Sequence, residues 1–124
     1  MTGRSEIGRI GEEAVCRHLT GLGHRILERN WRSGHLEIDI ISLADDGIHF
    51  VEVKTRVAPA SADPAENVGY LKQRRVAAAA ARYMALRKND FGNMDMMLDV
   101  AAVLIDGGGI SIDYRPSAFI PMYI

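Results

Sequence analysis

The sequence predicts an α/β domain whose central sheet is covered by helices on both faces. Three observations lead there. Helix-period and strand-period segments follow the order αβββαββ, the two central strand candidates are apolar on both faces, and glycine-containing turns separate the segments. With 48% hydrophobic and 25% charged residues over 124 positions, the composition is that of one globular domain spanning residues 1–124, which excludes collagen-like, coiled-coil and disordered classes.

Residues 4 to about 22 predict a helix, because Ile7, Ile10, Ala14, Leu19 and Leu22 approximate one buried stripe and Gly21 and Gly23 stop it. Glu12 falls at the edge of that stripe beside Val15 and Leu19, and Glu13 points further towards water. His24–Arg29 is a short strand candidate followed by the polar turn Asn30–Gly34. Leu36–Leu43 and Ile48–Thr55 are β-branched and joined by Ala-Asp-Asp-Gly, which predicts a hairpin. A loop follows from Val57 to Glu66, where Asp63, Pro64 and Glu66 resemble an N-cap, a first-turn proline and a capping-box acid. The helix they open runs to about Arg87 and packs through Val76, Ala79, Ala80, Tyr83 and Leu86. Met97–Ile105 and Gly109–Tyr114 supply two more strands around Asp-Gly-Gly-Gly.

Several function classes drop out early. A formal net charge of −1 gives no global positive field for nonspecific DNA binding, although a local basic stripe can still serve. Cys16 is the only cysteine, which removes disulfide frameworks and Cys-pair metal motifs. The four histidines lack HExxH spacing, which speaks against a zinc enzyme. No apolar run approaches the roughly 18–20 residues that cross a bilayer, and no basic-then-apolar leader opens the chain. The expectation is a cytoplasmic protein without a membrane partner.

The hairpin carries the chemistry. Ile38 and Ile40 with Val51 and Val53 are expected on one face, and Ile41 with Phe50 on the other. A sheet covered on both sides should not hold charges in its middle, yet Asp39 sits inside IDII, and Glu52 and Lys54 sit inside FVEVK. A two-residue turn at Asp45-Asp46 sets Asp39 across from Glu52 and Glu37 across from Lys54, whereas a four-residue loop sets Asp39 across from Lys54. In both registers Asp39, Glu52 and Lys54 share one face; a three-residue loop would break this. Opposed carboxylates repel, and a divalent cation between them removes the penalty. Few, hard oxygen ligands suit Mg²⁺ or Mn²⁺ bound together with a substrate phosphate. Lys54 would then stabilise charge on that phosphate or position the attacking water. Spacing alone also suits an ion-pair ladder on a solvated face; the apolar bracketing of the charges favours chemistry.

These residues resemble the PD-(D/E)XK nuclease superfamily and, within it, the YraN-like family of small bacterial proteins. The resemblance rests on Gly11–Leu19, Glu28–Arg32, Glu37–Ile41, Phe50–Arg56, Leu71–Ala80, Leu98–Val103 and Ala118-Phe119. It implies a restriction-endonuclease-like α/β core with a central mixed sheet flanked by helices, akin to archaeal Holliday-junction resolvases. It also implies Glu12, Asp39 and Glu52 as metal-binding and catalytic acids and Lys54 as the catalytic lysine, with Arg56 and Lys72 at further basic positions. Two departures stand out: Leu36 replaces the usual glycine before Glu37, and Met97-Leu98 replaces Arg-Phe before Asp99.

The expected function is metal-dependent hydrolysis of DNA phosphodiesters, in branched or structured DNA, by a protein able to work as a homodimer. The alternative is a nucleic-acid-binding module with the same fold and no activity. Lys72, Arg74, Arg75 and Arg82 form a helical face that suits either a phosphate track or a solvated surface, and Lys72, Arg75 and Arg56 are the expected nucleic-acid contacts. Glu37 is expected to pair with Lys54, Ser33 to sit in a turn near the site, Trp31 and His18 to pack, and Met94, Met96 and Met97 to fill space flexibly.

Overall fold

The computed structural model describes residues 6–59 and 69–118. Its elements are α1 (Glu6–Gly21), β1 (Arg25–Ser33), β2 (Leu36–Ala44), β3 (Gly47–Val57), α2 (Tyr70–Leu86), α3 (Lys88–Phe91), β4 (Met96–Asp106) and β5 (Gly109–Arg115). The strands form one sheet in the order β1-β2-β3-β4-β5, antiparallel except for the parallel β3–β4 pair. A parallel pair needs a long crossover, which α2 and α3 occupy. The result is a mixed α/β sheet flanked by helices, consistent with a restriction-endonuclease-like core. Among the described residues, the short α3 is the one addition to the expected order.

Each face of the sheet has its own core. On one, Val15, Cys16 and Leu19 of α1 pack against Ile40, Val51, Ala101 and Val103. On the other, Val76, Ala77, Ala79, Ala80 and Tyr83 of α2 pack against Ile38, Ile41, Ile48, Phe50 and Leu98. The alanine run lets α2 lie close to the sheet, and Tyr83 fills the remaining space with its ring edge-on to Trp31 and Phe50.

Four expectations are corrected. First, α1 is rolled from the expected stripe: Ile7, Ile10 and Leu22 are exposed, and Gly11, Glu12, Val15, Cys16 and Leu19 face inwards. The cause is Gly11, which lies so close to β3 that a Cβ there would stand 1.9 Å from Thr55 Oγ1. Second, Leu86 is exposed, because Arg87 takes the space beside Tyr83 and lays its guanidinium over the Tyr83 and Phe91 rings. Third, Asn30–Ser33 extends β1 rather than forming a turn; Trp31 pairs with Ile38, the polar residues suit an edge strand, and the chain turns at Gly34 with φ of 64°. Fourth, α2 begins at Tyr70 after an extended Gly69. The expected capping residues Asp63, Pro64 and Glu66, like Phe119, lie outside the described residues.

Candidate active site

The β2–β3 hairpin adopts the two-residue turn: Ala44 pairs with Gly47 and the ladder runs to Ile40 opposite Val51. There it stops. Ile38 and Ile41 both pack towards α2 while Ile40 packs towards α1, so the alternation that should place Ile38 beside Ile40 fails around Asp39. Ile38 is therefore not on the Val51 face as expected. β3 continues along β4, with Glu52 beside Val100 and Lys54 beside Ala102. At the break the Val53 N–H donates to the Asp39 carboxylate at 2.8 Å. A side chain takes the role of a strand carbonyl, which anchors Asp39 at the opening.

A cavity of about 310 Å³ occupies this opening, walled by Glu12, Glu37, Asp39, Glu52, Val53, Thr55 and Lys72 among others. Glu12 also lines a neighbouring cavity of about 510 Å³ with Arg9, Arg17 and Arg29. Close seating of α1 at Gly11 is what sinks the next residue, Glu12, to 3% exposure.

The electrostatics are strained in one direction. Burial and the nearby Asp39 charge push the Glu52 carboxyl up to about 7, against the opposing pull of the Lys72 and Lys54 ammonium groups. Lys72 Nζ stands 2.9 Å from Glu52 Oε2. Burial lowers the Lys72 amine, but the Glu52 carboxylate outweighs it and the net shift is upward.

Of the residues expected at the site, Asp39 and Glu52 come together and Glu12 reaches their cavity from α1. The three are not a ready-made ligand group: among the described residues, no three His, Cys, Asp or Glu side chains are gathered closely enough to hold a metal ion. Lys54 lies near enough to act on Glu52 through its charge but does not wall the cavity. Arg56 on β3 and Arg75 on α2 are exposed. Glu37 has Arg32 3.5 Å away across β1 and β2. Ser33 is the last residue of β1, and Trp31 and His18 pack against Tyr83 and Tyr114 respectively. No helix among the described residues is long and apolar enough to cross a membrane.

Comparison with known proteins assigns the chain to a family. The model of the uncharacterised protein family UPF0102 matches residues 11–103. The chain belongs to the UPF0102 family. It is 39% identical over 116 residues to a UPF0102 protein of Myxococcus xanthus, covering 94% of this chain and 90% of that one. A UPF0102 protein of Bacteroides thetaiotaomicron is 36% identical over 121 residues, covering 98% of both chains. The segment matched by the UPF0102 model contains Glu12, Asp39, Glu52, Lys54, Arg56, Lys72 and Arg75.

Sequence reasoning missed two things. It gave Lys72 to nucleic acid without seeing its contact with Glu52, since nothing in the spacing of α2 fixes its height above β3. It also passed over His49 and Asp99, both fully or nearly buried and hydrogen-bonded to each other. The signal was present: each is a polar residue inside an apolar strand, the same anomaly that singled out Asp39.

Proposed function

We propose that the chain is a metal-dependent endonuclease-like protein that hydrolyses DNA phosphodiester bonds, with branched or structured DNA as the substrate class that the resemblance implies. The observation that carries this reading is the Asp39–Glu52 pair, two carboxylates brought together at a break in the sheet, with the Glu52 carboxyl raised by burial and by the Asp39 charge. That donor set fits a hard cation with open positions, and Asp39 and Glu52 would hold Mg²⁺ or Mn²⁺, with Glu12 on the same cavity wall. When bound, such an ion adds Lewis acidity at the phosphate and favours ionisation of the attacking water.

The chain's own residues do the rest. Glu52 must give up its proton, and Lys72 its hold on Glu52, before that carboxylate can act as a ligand. Lys54 donates to a phosphate oxygen and stabilises the charge that develops there. Arg56, Lys72 and Arg75 supply positive charge along β3 and α2 for the phosphate backbone.

The test is to incubate the protein and Mg²⁺ or Mn²⁺ with linear, flapped and four-way DNA. Metal-dependent cutting, lost in Asp39→Ala and Lys54→Ala, is the expected result; no cutting, or equal cutting by the variants, would overturn the reading. Lys54→Arg sharpens it: a planar guanidinium that cannot give up a proton should keep the fold and lose most activity. Full activity in Lys54→Arg would remove the catalytic role.

One observation favours a binding module without activity: Lys72 already neutralises part of the Glu52 charge, with no three-ligand group gathered among the described residues. Calorimetry separates the two. The module binds DNA without metal and takes up no Mg²⁺ that depends on Asp39.

A further inference from the structure

Near the start of β3, on the α1 face, lies a second polar cluster that the proposed function does not use. The His49 side chain is 3% exposed, with Nδ1 2.6 Å from Asp99 Oδ2 of β4 and Nε2 2.7 Å from Asp46 Oδ1 of the β2–β3 turn. The Asp99 side chain is fully buried; it also accepts the Tyr114 hydroxyl of β5 on Oδ2 and the Ser117 N–H on Oδ1 at 2.8 Å. The His24 ring lies tilted against His49 with centroids 4.6 Å apart, and His24 Nδ1 stands 2.8 Å from Ser42 Oγ.

A neutral imidazole has one N–H and one lone pair. With a carboxylate at each nitrogen, the neutral ring would aim its lone pair at an anion, so only the doubly protonated ring satisfies both contacts. We infer that His49 is a buried imidazolium that clasps the β2–β3 turn to β4 and β5, and that alkaline pH opens the clasp by removing its proton. The other groups around it agree. Burial alone would pull His49 down, but its hydrogen bonds to Asp99 and Asp46 outweigh that and raise it. Asp46 is lowered by its hydrogen bond to His49. His24 is lowered by burial and by the His49 charge, with His18 of α1 adding to the effect and Asp99 and Asp46 opposing it. Tyr114 is raised by burial and by Asp99, so it remains a donor. The described residues hold no group of three such side chains fit for a metal ion, so a metal does not explain the cluster.

Because the folded form of His49 titrates above the unfolded one, its contribution is complete below about pH 6.5 and is lost as pH rises through the folded value. The experiment is a pH titration of the histidine ring protons of the full chain by NMR, with thermal midpoints over the same range and no DNA or metal present. His49, identified by the signal missing from His49→Gln, should titrate above about 6.5, and His24 below it. Asp46→Asn changes an exposed side chain, so the fold survives, and it should lower the His49 midpoint. The gap in thermal midpoint between wild type and His49→Gln should shrink from about pH 6 to about pH 9. A His49 midpoint at or below the ordinary value, no response to Asp46→Asn, or a gap independent of pH would each overturn the clasp. None of these readings depends on nuclease activity.

Discussion

Towards the middle of β3, burial and the Asp39 charge push the Glu52 carboxyl up to about 7 despite the Lys72 and Lys54 ammonium groups, whereas near its start Asp46 and Asp99 share one imidazolium. Both arrangements bury a carboxylate within one strand's length, but Asp99 is closed into hydrogen bonds with His49, Tyr114 and Ser117, while Glu52 faces Asp39 as well as Lys72. The clasp closes a hydrogen-bond network across β3, β4, β5 and the turn, and its reward is a fixed end of the sheet. The cleft leaves Glu52 with a carboxyl near 7 and a cavity at its side, an arrangement that costs stability and, under the proposed function, is offset when a cation or phosphate arrives. Burial alone does not tell the two clusters apart; what differs is that one buried acid lies beside a cavity and a second acid, and the other is closed into a hydrogen-bond network.

The largest expected effect comes from making the same substitution at both ends. Asp99→Ala removes the buried partner of the His49 imidazolium and of the Tyr114 hydroxyl, leaving only Asp46 at the ring, and should cost about 3 kcal/mol of stability, read by chemical denaturation. Asp39→Ala removes a repulsion from Glu52 but leaves the Val53 N–H unpaired, so its stability should stay within about 1 kcal/mol of wild type. Its cleavage, under the proposed function, should fall by at least about a hundredfold. Equal stability losses in the two variants would erase the contrast.

A smaller effect follows from Glu52 alone. A carboxylate whose folded value lies above its unfolded value makes the folded state bind the extra proton, so stability declines as pH rises from about 4.5 to about 7. Glu52→Gln cannot ionise and should avoid that decline. Above neutral pH it should be more stable than wild type by up to about 3 kcal/mol, with the difference vanishing near pH 4. Denaturation curves at several pH values check this; a variant that is less stable at alkaline pH shows that Lys72 fully compensates the buried charge. Stabilisation with loss of cutting would mark Glu52 as a residue kept for function.

Much of this was legible beforehand. The order of elements, the β2–β3 hairpin and the anomaly of Asp39 and Glu52 follow from strand patterning and from charges placed where a covered sheet excludes them, while the choice between the two hairpin registers stayed open. The break at Asp39 was not, because alternation assumes an intact ladder and Ile38 looks no different in sequence from Ile40. The roll of α1 was hidden for a related reason. Hydrophobicity marks Ile7, Ile10 and Leu22 as core, while the contact that decides the helix orientation is made by Gly11, which has no side chain to count. Tertiary partners such as Lys72 with Glu52, or His49 with Asp99, depend on heights and crossings that one-dimensional spacing does not carry.

The smallest expected effect tests that roll directly, using two acids one residue apart. Glu13 is exposed and holds Arg29 at 3.0 Å and Arg17 at 3.4 Å, pairs of the kind that water and salt screen. Glu13→Gln should therefore change stability by no more than about 0.5 kcal/mol and leave cutting unaltered. Glu12 sits at 3% exposure between two cavities, one of them containing Asp39 and Glu52. Glu12→Gln keeps its shape and removes its charge, and cutting should drop at least about tenfold. The pair is a matched control, since both changes remove one negative charge from the same turn of α1 and alter its dipole environment equally. If Glu13→Gln lowers cutting as much as Glu12→Gln, the effect is one of general charge on the helix and Glu12 has no special place at the cleft.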